Sequence, residues 1–298
     1  MDPQEDIRLD EQLDAFITYL TDEKKMSENT RLSYRRDLDK LEEYCRAMAI
    51  TDASQISENN LQSYLLYLEA GSLKPATVSR SVASIHAFFR YMYTEHQIEE
   101  DVSENLQAPK IERKLPEILT EEEVERLLEQ PSDLEAKGIR DRAMLELLYA
   151  TGIRVSELIS LRTEDVDLRK NLLTCCGRVI PFGEHANAAL ARYLSGAREE
   201  LMKDHEGEIL FPSCLGEPMS RQGFWKLLKS YGKAAGIEKE ITPHTLRHSF
   251  AAHLMAGGAD IRSVSRMLGH SDISTTKVYA QLGGNRTRRM YSEAHPRA

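Results

Sequence analysis

The stretch that decides the fold reads ITPHTLRHSFAAHLMAGGADIRSVSRMLGHSDISTTKVYA and covers residues 241–280. His244 and Arg247 follow Pro243 three residues apart, a spacing that places both side chains on one face of a helix. His270 follows a glycine in a tight turn between helices, and Tyr279 comes nine residues later. We therefore predict a helical region that gathers polar side chains around its helix ends.

A fourth signal, ATGIRVSE at residues 150–157, lies upstream. Gly152 can end one helix in the left-handed conformation, so the Arg154 guanidinium can project from the start of the next helix. Such a position suits a phosphate group. The structural alternative is that Arg154 only forms an ion pair with Glu157.

Each signal is weak by itself. An H-x-x-R motif occurs by chance in about one in three chains of this length. A plain structural interpretation makes His244 a histidine at a helix N-terminus and His270 a buried histidine in a turn. Tyrosines at helical spacing are usually core residues, and the chain has 12 of them, so only its context selects Tyr279. The four signals together, in this order, are what is rare.

The combined set fits phosphoryl transfer. Arg154 and Arg247 can stabilise charge on the non-bridging oxygens, and His244 can move a proton. Tyr279 becomes a useful nucleophile if a base and nearby cations favour its phenolate, since the usual pKa of tyrosine is near 10. The phosphotyrosyl ester formed in this way conserves bond energy. The set therefore predicts a reaction without a metal, ATP or any other cofactor.

Charge is distributed unevenly along the chain. The 298 residues carry a net charge of −9, which taken alone argues against a nucleic-acid partner. Residues 221–298, however, contain 13 lysines and arginines against five acids. A local positive field of this kind suits a polyanion, although a solvated surface gives the same pattern.

Other functional classes find little support in the composition. The four cysteines form no C-x-x-C pair and lie near no histidine cluster, so neither a zinc site nor a disulfide framework is indicated. The sequence has no apolar run long enough for a membrane span, and its first ten residues, MDPQEDIRLD, are acidic. We expect a cytoplasmic protein without membrane insertion.

The periodicity of apolar residues predicts a mainly α protein with two domains. Residues 1–100 form a helical bundle, residues 101–116 a proline-containing linker, and residues 117–298 a mostly helical second domain. A small antiparallel sheet is expected between Asp165 and Phe182, with a turn at Gly177. The four predicted helices of the bundle cover Leu9–Leu20, Thr30–Ala47, Ser57–Leu68 and Pro75–Tyr93.

These motifs resemble the tyrosine recombinases, specifically the Xer site-specific recombinases of bacteria. The resemblance rests on LLYATGIRVSEL at 147–158, on residues 241–280 and on the closing HPRA. Two further segments, ENTRLSYRRDL at 28–38 and KPATVSRSVASIHAFFRYMY at 74–93, are similar to the family's N-terminal DNA-binding domain. The resemblance implies a SAM-like core-binding domain followed by a catalytic domain, with DNA clamped between them.

It also implies a role for each site residue. Arg154 and Arg247 bind the scissile phosphate, His244 assists proton transfer, His270 donates a hydrogen bond to a phosphate oxygen, and Tyr279 attacks. Candidates for contacts with DNA, with solvated helix faces as the alternative, are Arg35, Arg36, Lys74, Thr77, Ser79 and Arg80.

The family further implies how the protein acts. Four subunits assemble on two double-stranded DNA sites and exchange strands through a Holliday junction, with residues 281–298 docked onto a neighbouring subunit. A second Xer recombinase and a septal DNA translocase are implied partners. The implied role is the resolution of chromosome dimers at a dif-like site.

One departure from the family concerns the sheet. The family's hairpin carries a lysine that protonates the leaving 5′-oxygen, whereas here Cys175 to Pro181 runs straight through without one. Arg178 stands where the family's loop-closing arginine falls, and arginine holds its proton too firmly to be an efficient acid. Lys170 lies before the strand. We therefore hypothesise that the protein binds DNA and assembles normally but cleaves slowly.

Two other interpretations stay open. A type IB topoisomerase uses a similar residue set without pairing two DNA sites. Alternatively, the chain is a cleavage-impaired subunit that binds DNA in an architectural role and lacks the hairpin lysine.

Overall fold

The structure is a computed structural model that describes residues 8–71, 73–110, 117–203, 205 and 207–269. The chain divides into two compact units, Met1–Arg113 and Lys114–Ala298. Within the described ranges, no helix has both the length and the apolar character that a bilayer span requires.

The first unit is a bundle of helices around an aromatic core. Serine side chains cap two of these helices, since Ser27 and Ser57 accept hydrogen bonds from the backbone N–H groups three residues ahead. Phe16 and Phe88 lie edge to face at the centre, with ring centroids 5.6 Å apart. All four predicted helices are confirmed, as α1 (Leu9–Asp22), α2 (Glu28–Ala47), α3 (Glu58–Ala70) and α4 (Pro75–Thr94).

Part of the segment expected to be a linker packs on this first unit. Ser103 and Leu106 are buried, and the His86 ring on α4 contacts both of them. Its Nδ1 lies 3.2 Å from the Ser103 hydroxyl and its Nε2 lies 3.0 Å from the Leu106 carbonyl oxygen. The chain therefore leaves the first unit later than residue 101.

The second unit is mostly helical with one small sheet. Its strands β1 (Val166–Asp167), β2 (Leu172–Cys175) and β3 (Arg178–Pro181) are antiparallel in that order. The predicted hairpin and the mainly α fold class are thus confirmed. The helices are α5 (Glu121–Leu128), α6 (Ala136–Thr151), α7 (Val155–Ser160), α8 (Glu184–Arg192), α9 (Arg198–Met202), α10 (Arg221–Ala234), α11 (Pro243–Ala256) and α12 (Ile261–Leu268).

Helix α6 runs through the core of this unit and sets the position of the site. Leu145, Leu148 and Tyr149 on it are buried. Gly152 ends α6 with φ +60, and a Cβ added there would lie 2.2 Å from the Phe250 ring on α11. Both the left-handed backbone and the close approach of α11 require glycine, as the sequence predicted for the backbone.

Candidate active site

Arg154 occupies the start of α7, directly after the turn that ends α6. Its backbone N–H donates to Glu157 Oε2 at 2.7 Å, and its Nη1 donates to Glu157 Oε1 at 3.3 Å. Its Nη2 lies 3.5 Å from the carbonyl oxygen of Gly269. The side chain nevertheless stays 44% exposed. The pair with Glu157 and an accessible guanidinium therefore coexist, and a phosphate can reach Arg154.

Arg247 lies on α11 and, unlike Arg154, is almost fully buried, with 6% exposure. Its Nη1 donates to the carbonyl oxygen of Gly152 at 2.5 Å, and its Nη2 donates to that of Leu268 at 2.7 Å. The two arginines thus meet at one place, because they bind the adjacent carbonyls of Leu268 and Gly269. The structure brings together two cations that are 93 positions apart in the sequence.

His244 lies in the first turn of α11, on the same side as the arginines. Desolvation of its ring, together with the positive charges of Arg247 and Arg154, lowers its pKa below the usual value of histidine. A neutral imidazole beside two cations can accept a proton near neutral pH. This environment suits the proton-transfer role that the resemblance implies.

A second histidine of α11, which the sequence analysis did not select, lies one turn further on. The rings of His248 and His244 are 6.3 Å apart between centroids. Burial, followed by the proximity of His244 and Arg247, lowers the pKa of His248 to about 4. The four-residue spacing of the two histidines is the sequence signal for this neighbour.

The hairpin between β2 and β3 turns through only Cys176 and Gly177. Both residues have positive φ, +48 and +71, as the two central positions of a type I′ turn require. Cys175 and Arg178 pair directly across the strands. The turn therefore leaves no extended tip, and the span from β1 to β3 carries a single lysine, Lys170, which is 71% exposed and bound to Asp167 at 3.1 Å.

Arg178, considered in the sequence only as a poor acid, has a specific structural environment. Its Nη2 donates to Glu157 Oε1 at 2.5 Å, and its Nη1 donates to the carbonyl oxygen of Met267 at 2.6 Å. The side chain is 15% exposed. Arg178 is thus a neighbour of the site that the sequence did not predict, whereas Glu157 was predicted as the ion-pair partner of Arg154.

The two hairpin cysteines lie beside the same carboxylate. Glu157, Cys175 and Cys176 place one ligand atom each within 4.8 Å of one another. Burial, with the charge of Glu157, raises the pKa of the Cys175 thiol to about 12. Since Glu157 is already bound by two arginines, a cation at this place would meet both a protonated thiol and positive charge.

Two of the arginines predicted to contact DNA are held by carboxylates of the first unit. Arg35 binds Asp39 at 2.6 Å and also binds Asp14. Arg80 binds the buried Asp37 through two hydrogen bonds of 2.7 and 2.8 Å. These pairs fix the orientation of both side chains, while Arg80 keeps 46% exposure.

The other candidates for DNA contact lie on α2 and at the start of α4. Arg36 and Lys74 are exposed, and Thr77 and Ser79 are half-buried. Lys74 is the residue that precedes the first turn of α4, next to Pro75. These residues remain candidates.

His270 and Tyr279 lie outside the described residues, as does the predicted docking segment 281–298. Gly269, directly before His270, is the last described residue. Gly269 terminates α12 in the left-handed conformation with φ +63. A Cβ at this position would lie 2.7 Å from Nη1 of Arg178.

The second unit thus brings together Arg154, Arg247 and His244, three groups suited to contact a phosphodiester. The Phage integrase family matches residues 117–286, and the family's N-terminal SAM-like domain matches residues 13–96. The chain belongs to this family, the tyrosine recombinases, and is a site-specific recombinase enzyme that acts on DNA.

Relatives of similar length place it among the Xer recombinases. Tyrosine recombinase XerD of Oceanobacillus iheyensis is 43% identical over 96% of this chain and 98% of the relative. Tyrosine recombinase XerD of Staphylococcus haemolyticus is 40% identical over 96% of this chain and 99% of the relative.

Solved structures agree on the fold. The XerH site-specific recombinase bound to difH substrate matches with a TM-score of 0.69 and 22% identity, over 93% of this chain and 94% of that one. A lambda integrase dimer bound to a COC′ core site matches with a TM-score of 0.71 and 18% identity, over 94% of this chain and 98% of that one.

Proposed function

We propose that this recombinase cuts and rejoins DNA through a 3′-phosphotyrosyl intermediate formed by Tyr279. The observation that carries the proposal is the meeting of Arg154 and Arg247 at the adjacent carbonyls of Leu268 and Gly269, with a neutral His244 beside them. Two guanidinium groups at one place can neutralise both non-bridging oxygens of a phosphodiester. His270 directly follows Gly269 in the sequence.

The positions of Arg154, Arg247 and His244 support their assigned roles, and the roles of His270 and Tyr279 rest on the family resemblance. Arg247, held rigidly by two carbonyl groups, and Arg154, still accessible, bind the scissile phosphate. His244 takes or passes the proton of the attacking phenol, His270 donates a hydrogen bond to a phosphate oxygen, and Tyr279 attacks phosphorus. The 5′-oxygen leaves, and the reverse reaction with another strand end reseals the backbone.

Departure of the 5′-oxygen is the slow step of the proposed reaction. The type I′ turn at Cys176 and Gly177 has no room for a lysine-bearing tip, and Arg178 is occupied by Glu157 and Met267. We expect the 5′-oxygen to depart without efficient protonation, so that cleavage is slow although DNA binding and assembly are normal.

The two domains have different roles on DNA, binding for the first and catalysis for the second. Residues 1–100, together with the packed Ser103 and Leu106, form the core-binding domain. The linker begins after Leu106, and residues 117–298 form the catalytic domain, in which residues 281–298 dock onto a neighbouring subunit. Contacts of the first domain come from Arg35, Arg36, Lys74, Thr77, Ser79 and Arg80. The substrate is double-stranded DNA, and four subunits act on two sites.

The biological role that we propose is the resolution of chromosome dimers at a dif-like site, in the cytoplasm. The XerD relatives and the XerH structure bound to difH support it. A second Xer recombinase and a septal DNA translocase are the proposed partners.

The two rival functions gain no support from the relatives, which carry the name recombinase. The missing hairpin lysine is the one observation that favours a cleavage-impaired, architectural subunit. A topoisomerase would relax DNA without pairing two duplexes.

A strand-exchange assay separates these functions. Two dif-like duplexes with different labels are incubated with the protein, with and without a partner Xer recombinase. We expect both labels in one synaptic complex and, over long incubation, recombinant strands. An architectural subunit would form the complex without any covalent adduct, and a topoisomerase would form an adduct without synapsis. Either result would overturn the proposal.

A further inference from the structure

Three guanidinium groups converge on the C-terminal end of α12. Arg178 donates to the carbonyl oxygen of Met267 at 2.6 Å, and Arg247 donates to that of Leu268 at 2.7 Å. Arg154 completes the series at the carbonyl oxygen of the next residue, at 3.5 Å. The last carbonyl groups of a helix have no partner within it and carry the negative end of its dipole. This helix end is therefore an anchor for three cations.

Glu157 connects two of these cations a second time. Its Oε1 accepts from Arg178 at 2.5 Å and from Arg154 Nη1 at 3.3 Å, while its Oε2 accepts from the backbone N–H of Arg154 at 2.7 Å. Glu157 is 8% exposed, and a carboxylate that is buried to this degree needs a cationic partner. Arg178 holds that position with the shorter contact and the more buried side chain.

This arrangement matters when DNA binds. An arginine that turns towards a phosphate weakens its pair with a carboxylate on the protein. Because Arg178 still neutralises Glu157, the guanidinium of Arg154 can release Oε1 of Glu157. The backbone N–H of Arg154 meanwhile stays hydrogen-bonded to Oε2 of Glu157. Arg178 also fixes Met267, the neighbour of the residue whose carbonyl group orients Arg247.

We propose that Arg178 is a positioning residue for the two phosphate-binding arginines, acting on Arg154 through Glu157 and on Arg247 through the end of α12. The inference rests on the phosphate-binding role of Arg154 and Arg247 proposed above. It gives the shortened hairpin a function, since the direct pairing of Cys175 with Arg178 across the turn sets where this guanidinium points.

The geometry requires arginine at this position. Two donors in a fixed fork reach a carboxylate and a carbonyl oxygen at once, whereas an ammonium group offers one point charge. Gly269 fits against the fork, because a Cβ there would lie 2.7 Å from Nη1 of Arg178. The guanidinium is thus enclosed by three elements, β3, α7 and α12.

The test compares two substrates within each variant. One duplex carries an ordinary scissile phosphate, and the other carries a methylphosphonate at that position, which has no charged oxygen to neutralise. Arg178→Gln, Arg178→Lys and Arg154→Gln are measured in single-turnover cleavage, with Arg169→Gln, an exposed arginine of the same sheet region, as the matched control. The ratio of the two rates does not depend on how much of a preparation is folded.

We expect Arg178→Gln to lower the cleavage rate of the ordinary phosphate about 100-fold, which is the effect of a displaced catalytic group. The rate on the methylphosphonate should fall clearly less. Arg178→Lys, which keeps a charge beside Glu157, should recover part of this loss. Arg154→Gln should show the same substrate preference, and Arg169→Gln should match the unmodified protein on both substrates.

Two results would overturn the inference, and they are distinguishable. If Arg154→Gln shows the preference and Arg178→Gln loses activity equally on both substrates, or loses none, then Arg178 does not position the site. If Arg154→Gln itself shows no preference, the phosphate-binding assignment fails and the role of Arg178 fails with it.

Discussion

Arg154 and Arg247 carry the same guanidinium group in opposite surroundings. Arg247 is buried and gives hydrogen bonds to two backbone carbonyls, whereas Arg154 keeps nearly half of its side-chain surface exposed. A buried group that satisfies backbone acceptors contributes to folding, and an exposed one contributes mainly to binding. We therefore expect replacement of the two residues to change the free energy of unfolding by different amounts, although both are proposed to bind phosphate.

Replacing each arginine with methionine tests this separation. Arg247→Met leaves the carbonyls of Gly152 and Leu268 without this donor, so we expect the free energy of unfolding to fall by about 1–3 kcal/mol for each buried group. Arg154→Met should lower it much less, because Arg178 still neutralises Glu157. Urea unfolding followed by Trp225, the chain's one tryptophan, measures both. Equal losses would contradict the structural role of Arg247.

His248 predicts a pH dependence of stability. Its folded pKa of about 4 lies below the usual value of histidine, 6.5, so the unfolded chain binds the proton more readily. Its contribution is complete above pH 6.5 and is lost as the pH falls towards 4. We expect the urea midpoint of His248→Gln to decline less over this window than that of the unmodified protein, while the exposed His185→Gln behaves as the latter does. Parallel curves for all three would refute the assignment.

The sequence motifs predicted the surroundings of Arg154 but not the contacts between residues that are distant along the chain. The motif around Gly152 predicted both the left-handed turn and the two uses of Arg154, and the structure shows the pair with Glu157 together with an accessible guanidinium. Arg178 was missed because its partners lie 21 and 89 positions away, on α7 and at the end of α12. Local spacing carries no information about such contacts.

The proposed slow departure of the 5′-oxygen rests on one element, the β2–β3 hairpin. Its type I′ turn consists of only Cys176 and Gly177, and Lys170 lies outside it, bound to Asp167. If no residue protonates the 5′-oxygen, a duplex with sulfur at the 5′-bridging position should react faster, since a thiolate leaves without a proton. A general acid contributes about 100-fold or more, and we expect an acceleration of that order.

The measurement is the ratio of single-turnover cleavage rates for the sulfur-containing and ordinary duplexes. Lys170→Met is the matched control and should leave the ratio unchanged. If both duplexes are cleaved at the same brisk rate, another residue is the acid and the hypothesis of slow departure fails.

Helices were the most predictable elements, for a physical reason. Apolar spacing is a local signal, and the four helices that it predicted in the first unit begin within two residues of the predicted starts. The proline-containing segment after residue 100 was less predictable. Ser103 and Leu106 are buried there by contacts with His86, 17 and 20 positions earlier, which periodicity does not show.

At the scale of the whole molecule, the fold class and the family could be predicted from the sequence. The order of the four motifs and the uneven charge pointed to a phosphodiester partner, and the family match over residues 117–286 agrees. A net charge of −9 therefore does not exclude a DNA-acting enzyme when the basic residues are concentrated in one part of the chain. The target DNA sequence could not be predicted, because base readout depends on contacts with the grooves that residue spacing does not show.

The central claim is that this chain forms a covalent bond to DNA through Tyr279. A duplex is nicked close to the cleavage site, so that the short fragment carrying the freed 5′-hydroxyl diffuses away after cleavage and the covalent bond cannot be reversed. The adduct is then separated from free protein on a denaturing gel. We predict an adduct for the unmodified protein and for the exposed Tyr67→Phe, and none for Tyr279→Phe, which should still bind the same duplex. An adduct that persists in Tyr279→Phe, or its absence from the unmodified protein, would contradict the account.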